Sequence, residues 1–168
     1  MTSMRTRVLL PLLALLAIAA PAPPLAAAAA PAARWTAPLA APLEVTRAFD
    51  RPPGPYAAGH RGVDLGSAAG SVVLAAGDGV VVFAGTVAGR PVVSLDHAGG
   101  LRTTYEPVDP SVAAGQLVVR GSPIGTLTAG HAGCPREACL HWGLRRGSIY
   151  VDPMLLLRSA RVRLLPLG

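Results

Sequence analysis

The chain has 168 residues, a formal net charge of +6, and a composition 51% hydrophobic but only 4% aromatic. That length suits one domain with a real core, and its 15 basic residues, all arginine, are scattered among too few aromatics to mark a nucleic-acid surface. The lack of lysine also excludes a lipoyl or biotinyl carrier, which attaches its cofactor through that side chain.

Arg5 and Arg7 precede an apolar run over 8–20, and alanine-rich sequence with small residues at A-x-A spacing continues to Ala30. This is the anatomy of a secretory signal peptide over residues 1–30, so the mature protein is expected in the cell envelope or secreted. The run is short for a membrane span and is interrupted by Pro11, so no membrane anchor is expected after leader removal. Losing Arg5 and Arg7 lowers the formal charge from +6 to +4 (6 minus 2). A mild positive balance suits an anionic wall polymer, and equally a solvated arginine face.

Residues 31–42, rich in alanine and proline, read as an extended linker. Alternation over 43–49 predicts the first strand, and the turn-rich 50–59 delivers His60 on a loop. His60 and Asp64 are four apart, but Gly59, Gly62 and Gly66 argue against a helix, so the pair flanks a bend into a strand. Strands follow at 72–75 and 80–83, joined through the hairpin signal Gly77-Asp78-Gly79. Another hairpin pairs 92–95 with 102–105 around His97-Ala98-Gly99-Gly100, whose His97 reads as a solvated turn residue. Strands at 116–119 and 124–127 are separated by Gly121-Ser122-Pro123; a loop over 128–138 leads to strands at 139–145 and 149–151. Only 152–157 reads as a short helix, with Asp152 as N-cap and Pro153 in its first turn; 158–168 is a C-terminal tail. Short strands divided by glycine turns indicate an all-β antiparallel sheet folded on itself.

Alternation along 139–145 puts Cys139 and His141 on one face and Leu140 on the other. The nitrogens of His60 and His141 with an oxygen of Asp64 make a three-ligand zinc set, and three protein ligands with an open fourth position describe a catalytic site. Cys134 and Cys139, an even pair in an exported protein, read as a disulfide pinning the loop, ahead of the alternative in which Cys139 is a thiolate ligand. Trp142 reads as core filling ahead of a stacking platform for substrate.

His60-x-x-x-Asp64, Gly77-Asp78-Gly79-Val80, Thr104-Tyr105, Gly121-x-x-Ile124-Gly125, Leu140-His141 and Val151-Asp152-Pro153 together resemble the M23 family of zinc metallopeptidases, the lysostaphin and LytM type. The resemblance covers 43–157 and implies a compact antiparallel β core, a folded β-sandwich with a groove. It also implies a zinc ion on His60, Asp64 and His141, and cleavage of peptide bonds in bacterial peptidoglycan by a monomer. Two auxiliary histidines of the family pattern fall here on Pro107 and Cys139. Losing a general base costs about 10² to 10⁴ in rate and losing an oxyanion donor about 10² to 10³, so a replacement is expected. The candidates are Glu106, beside one replaced position; His131, in the glycine-rich loop before Cys134; and Tyr105, as an oxyanion donor. Their plainer readings are an exposed turn carboxylate, a loop histidine and a packing tyrosine. The alternative function is a catalytically degenerate LytM-like module that binds the wall or regulates another wall hydrolase.

Overall fold

Aliphatic runs cut by glycine turns give eleven strands in the computed structural model, which describes residues 34–54 and 56–158. The signal peptide expected over 1–30 and the tail beyond Arg158 lie outside the described residues. The larger sheet has the order β1 (Glu44–Arg47), β2 (Gly62–Ser67), β10 (Ala138–Arg146), β6 (Leu101–Glu106), β5 (Arg90–His97), β4 (Gly79–Val87) and β8 (Leu117–Val118), with β11 (Ile149–Tyr150) beside β10. A smaller sheet has the order β3 (Val72–Leu74), β9 (Pro123–Leu127) and β7 (Val108–Pro110), and every pairing in both sheets is antiparallel. The all-β antiparallel expectation therefore holds. No helix among the described residues is long and apolar enough to cross a membrane.

Alternation decides what each sheet buries. Val63 and Leu65 of β2, Leu140 and Trp142 of β10, Tyr105 of β6, and Val93 and Leu95 of β5 point into one core. Val73, Val108, Ile124 and Leu127 of the smaller sheet close it from the other side. Trp142 is fully buried, as core filling requires.

Several local expectations are corrected. The Asp-Gly sequence at 78–79 joins no hairpin, because β3 and β4 belong to different sheets. Gly79 is instead a point of close approach: a Cβ there would meet the Asp96 carbonyl oxygen at 2.4 Å. The hairpin partner of β4 is β5, across Ala88 and Gly89 with φ of 48° and 81°. The strands near 116–119 and 124–127 also part, β8 to the larger sheet and β9 to the smaller. The final helix is a single 3₁₀ segment, Pro153–Leu157, capped by Asp152, which accepts from the Met154 amide.

The linker reading of 31–42 fails over its described part. Leu39 is buried in the core, the Thr36 amide donates to Ala76 O, and Leu74 N donates to Pro38 O. Trp35 packs edge-on against His97 at 5.0 Å. His97 is consequently buried, not solvated; its Nδ1 donates to Asp78 O and its Nε2 lies 2.7 Å from Thr103 Oγ1.

Candidate metal centre

The face of the larger sheet turned away from the core carries the polar residues. On it Asp64, His141 and Glu106 stand in register across β2, β10 and β6. One step along, Val63, Trp142 and Tyr105 occupy the equivalent row on the buried face. Polar and core positions of these strands are thus interleaved at period two.

His60 enters from the loop before β2, anchored by a two-way backbone bridge with Asp50. Its Nδ1 donates to the Ala48 carbonyl at 2.7 Å, which leaves Nε2 with its lone pair facing the sheet. That Nε2 lies 2.9 Å from Asp64 Oδ1 and 3.1 Å from His141 Nδ1, and His141 Nδ1 lies 2.8 Å from the same Asp64 oxygen. Gly62 makes room for this arrangement, since a Cβ there would meet His141 Nε2 at 2.7 Å and the Trp142 carbonyl oxygen at 2.5 Å.

Burial by itself would raise the Asp64 carboxyl, but hydrogen bonds from His141 and His131 and the nearby imidazole charges outweigh it and hold the group down at about 2. The result is a buried carboxylate facing two imidazole nitrogens, all three ligand atoms within 4.8 Å of one another. Two imidazoles and one carboxylate are a donor set for zinc, and a histidine whose other nitrogen is held by a backbone carbonyl is the usual supported ligand. His60, Asp64 and His141 therefore fit a metal ion. His60 and Asp64 are almost wholly enclosed, whereas the His141 side chain keeps 21% exposure, so the cluster is open on one side. From His141 a groove of about 210 Å³ runs along the sheet past Thr104, Gly143 and Arg145.

The other candidate residues separate clearly. His131 reaches the cluster: its Nε2 is 3.1 Å from Asp64 Oδ2, and its ring stacks on that of His141 at 6.2 Å. The loop that carries it is tied to β10 by the Cys134–Cys139 disulfide. That bond removes Cys139 as a thiolate ligand. Glu106 ends β6 beside His141 and lines the groove, paired with Arg90 Nε at 2.8 Å. Tyr105 points the other way. It is fully buried, its hydroxyl accepts from the Ala76 amide and meets Thr103 Oγ1, and it offers nothing to the groove. Two further contributors left no readable mark in the sequence: the Ala48 carbonyl, which orients His60, and Arg90, which reaches Glu106 from the neighbouring strand. A backbone carbonyl has no residue type, and Arg90 becomes relevant only through the β4–β5 turn.

A model of peptidase family M23 matches residues 58–153. An uncharacterised protein of Mycobacterium tuberculosis is 53% identical over 135 residues, which are 78% of this chain and 54% of that protein. The chain thus spans about half the length of the curated relatives it matches. A zinc-containing peptidase from Vibrio cholerae superposes with a TM-score of 0.59 at 25% identity, over 73% of this chain and 38% of that one. The catalytic domain of the antimicrobial peptidase lysostaphin from Staphylococcus simulans gives a TM-score of 0.59 at 25% identity, over 70% and 93% respectively.

Proposed function

This chain belongs to peptidase family M23, and on that premise we propose that it is an exported zinc metalloendopeptidase that hydrolyses peptide bonds in bacterial peptidoglycan. The observation that carries the reading is the convergence of His60 Nε2, Asp64 Oδ1 and His141 Nδ1 at the open end of a groove. When bound there, zinc would polarise a carbonyl and acidify water.

The chain's own residues do the rest. Ala48 O holds the His60 tautomer, and Asp64 supplies the one negative charge among the three ligands. Groups for proton transfer come from outside the family's usual positions. Glu106 is within the groove, but Arg90 already engages its carboxylate. His131 stacks on His141 beside the cluster, and an imidazole carries both a donor and an acceptor nitrogen. We assign proton transfer to His131 and a substrate-positioning role to Glu106. His131→Ala then lowers kcat by about 10² or more, while Glu106→Gln acts mainly on KM.

A specific observation favours a second reading, a wall-binding or regulatory module without hydrolysis. Pro107 and the disulfide-bonded Cys139 stand where the family pattern has histidines. Mass spectrometry of purified peptidoglycan incubated with the zinc-loaded protein separates the two. New amino termini that vanish with a chelator and in His141→Ala identify the peptidase. Stoichiometric zinc and sedimentation with the wall, without any product, identify the binding module.

A further inference from the structure

The groove face of the larger sheet has three rungs. Asp64, His141 and Glu106 form the first; Gly62, Gly143 and Thr104 the second; Arg145 and Arg102, with Asp96 beyond, the third. Two of three positions on the middle rung have no side chain, so the outer rungs stand over a trough.

Gly62 is glycine because the His141 ring lies against it. Gly143 is different: a Cβ there would find its nearest atoms at 3.6, 3.7 and 3.9 Å, ordinary contact distances, with no left-handed backbone. The sheet therefore tolerates a side chain at 143. Close approach of a ligand or another backbone is one recurring reason for a glycine inside a strand.

Cations outnumber carboxylates along the trough, which Arg61, Arg102 and Arg145 line with Glu106. Glu106 is paired with Arg90, and Asp96 is gripped by Arg102 through both oxygens, one pair at 2.7 Å. Arg145, at the far end, forms no direct ion pair among the described residues, although its charge helps Arg102 hold the Asp96 carboxyl down. Its Nη1 donates to the Gly147 carbonyl at 2.6 Å, which fixes the guanidinium and leaves its remaining N–H groups available. Arg145 also lines the adjoining cleft of about 550 Å³ with Arg51 and Tyr150, so it stands where the two cavities meet.

We propose that Arg145 binds a carboxylate of the peptide substrate, so that this chain selects peptides with a free acid near the cleaved bond over amidated or neutral ones. The distance follows from the strand. His141 and Arg145 are four residues apart on one face, about 13 Å, so the acid lies no more than about four extended residues from the bond. The proposal rests on the peptidase reading for the identity of the bond and on the trough for the preference.

Calorimetric titration of the zinc-loaded chain with two probes tests it: a cross-linked stem-peptide dimer with free carboxylates, and the same dimer amidated. The acid form is expected to bind about 10- to 100-fold more tightly, the effect of a hydrogen-bonded charge pair. In Arg145→Gln this ratio collapses toward one, and in Arg145→Lys, which keeps the charge but loses the fork, it is intermediate. Arg146→Gln removes the same charge from the adjacent, opposite-facing position and keeps the wild-type ratio. Gly143→Ala weakens both dimers. Equal affinities in the wild type, no binding of the acid dimer, a ratio unaltered in Arg145→Gln, or one lost equally in Arg146→Gln each overturn the proposal. If Arg145→Gln fails to fold by circular dichroism, Arg145→Lys against Arg146→Gln decides. Cleavage followed in the same samples keeps the readings apart: a preserved ratio without product sinks the peptidase, and product without a ratio sinks the role of Arg145.

Discussion

Gly62→Ala is the substitution that most directly tests how the sheet builds the cluster. The new methyl would stand 2.7 Å from His141 Nε2, against 3.4 Å for ordinary contact, so the ring must withdraw by about 0.7 Å (3.4 minus 2.7). The other close atom is the Trp142 carbonyl oxygen at 2.5 Å, which the β2–β10 pairing holds in place. Metal–ligand distances tolerate only about 0.2 Å, so the displaced His141 no longer completes the set. Zinc affinity should fall by about 100-fold, equivalent to about 2.7 kcal/mol, and stability without zinc by about 1–3 kcal/mol from overpacking. Competition against a chromophoric chelator measures the first, and urea unfolding with and without zinc the second. Gly143→Ala is the control, since its nearest contact is 3.6 Å and its zinc affinity should match the wild type. A Gly62→Ala protein that binds zinc as tightly as the wild type would refute the reasoning.

Leu39→Ala should cost about 2–5 kcal/mol in urea unfolding because it opens a core position, whereas an extended linker would lose nothing. Replacing both Cys134 and Cys139 by serine should remove about 2 kcal/mol and speed tryptic cleavage after the already exposed Arg136; unchanged digestion would show that the loop holds without its bond. Tyr105 gives a pH signature. Burial pushes its hydroxyl up to about 12 from 10.0, against lowering hydrogen bonds from Thr103 and Ala76. A group whose folded pKa is raised contributes fully below the unfolded value, so this part of the stability is present below pH 10 and lost between 10 and 12. The loss is about 3 kcal/mol, and Tyr105→Phe should abolish that slope in unfolding titrations. An identical alkaline slope in the phenylalanine variant would assign it to other groups.

Much of the site was legible because period two leaves a clear trace. Cys139-Leu140-His141-Trp142 alternates, and the fold indeed turns His141 to the groove and Trp142 to the core. Sheet partnership was less legible. Asp78-Gly79 has hairpin chemistry, yet its oxygens are used elsewhere, Asp78 Oδ1 accepting from Arg120 N and Asp78 O from His97. The true β4–β5 turn uses an alanine at φ 48°, a residue type that rarely signals a left-handed turn. The misplacement of His97 and of 34–39 has one cause. Alanine and proline around Trp35 and Leu39 look like a tether, and only tertiary packing reveals that Trp35 lies against His97. His131 was already a candidate in the sequence, but its contact with Asp64 depends on how the 128–138 loop folds back.

The interleaving of cluster and core along β2, β6 and β10 constrains how this protein can vary. Because His141 and Trp142 are neighbours in opposite phase, inserting or deleting one residue within β10 would drive an imidazole into the interior and an indole into the groove. The hydrophobic interior thereby proofreads the cluster: a chain paired out of register cannot bury its core, and the error is removed as a folding failure before it can surface as a misassembled site. Lineages of this domain should accordingly gain and lose residues at the 88–89 turn, and explore the ligand strands by substitution alone.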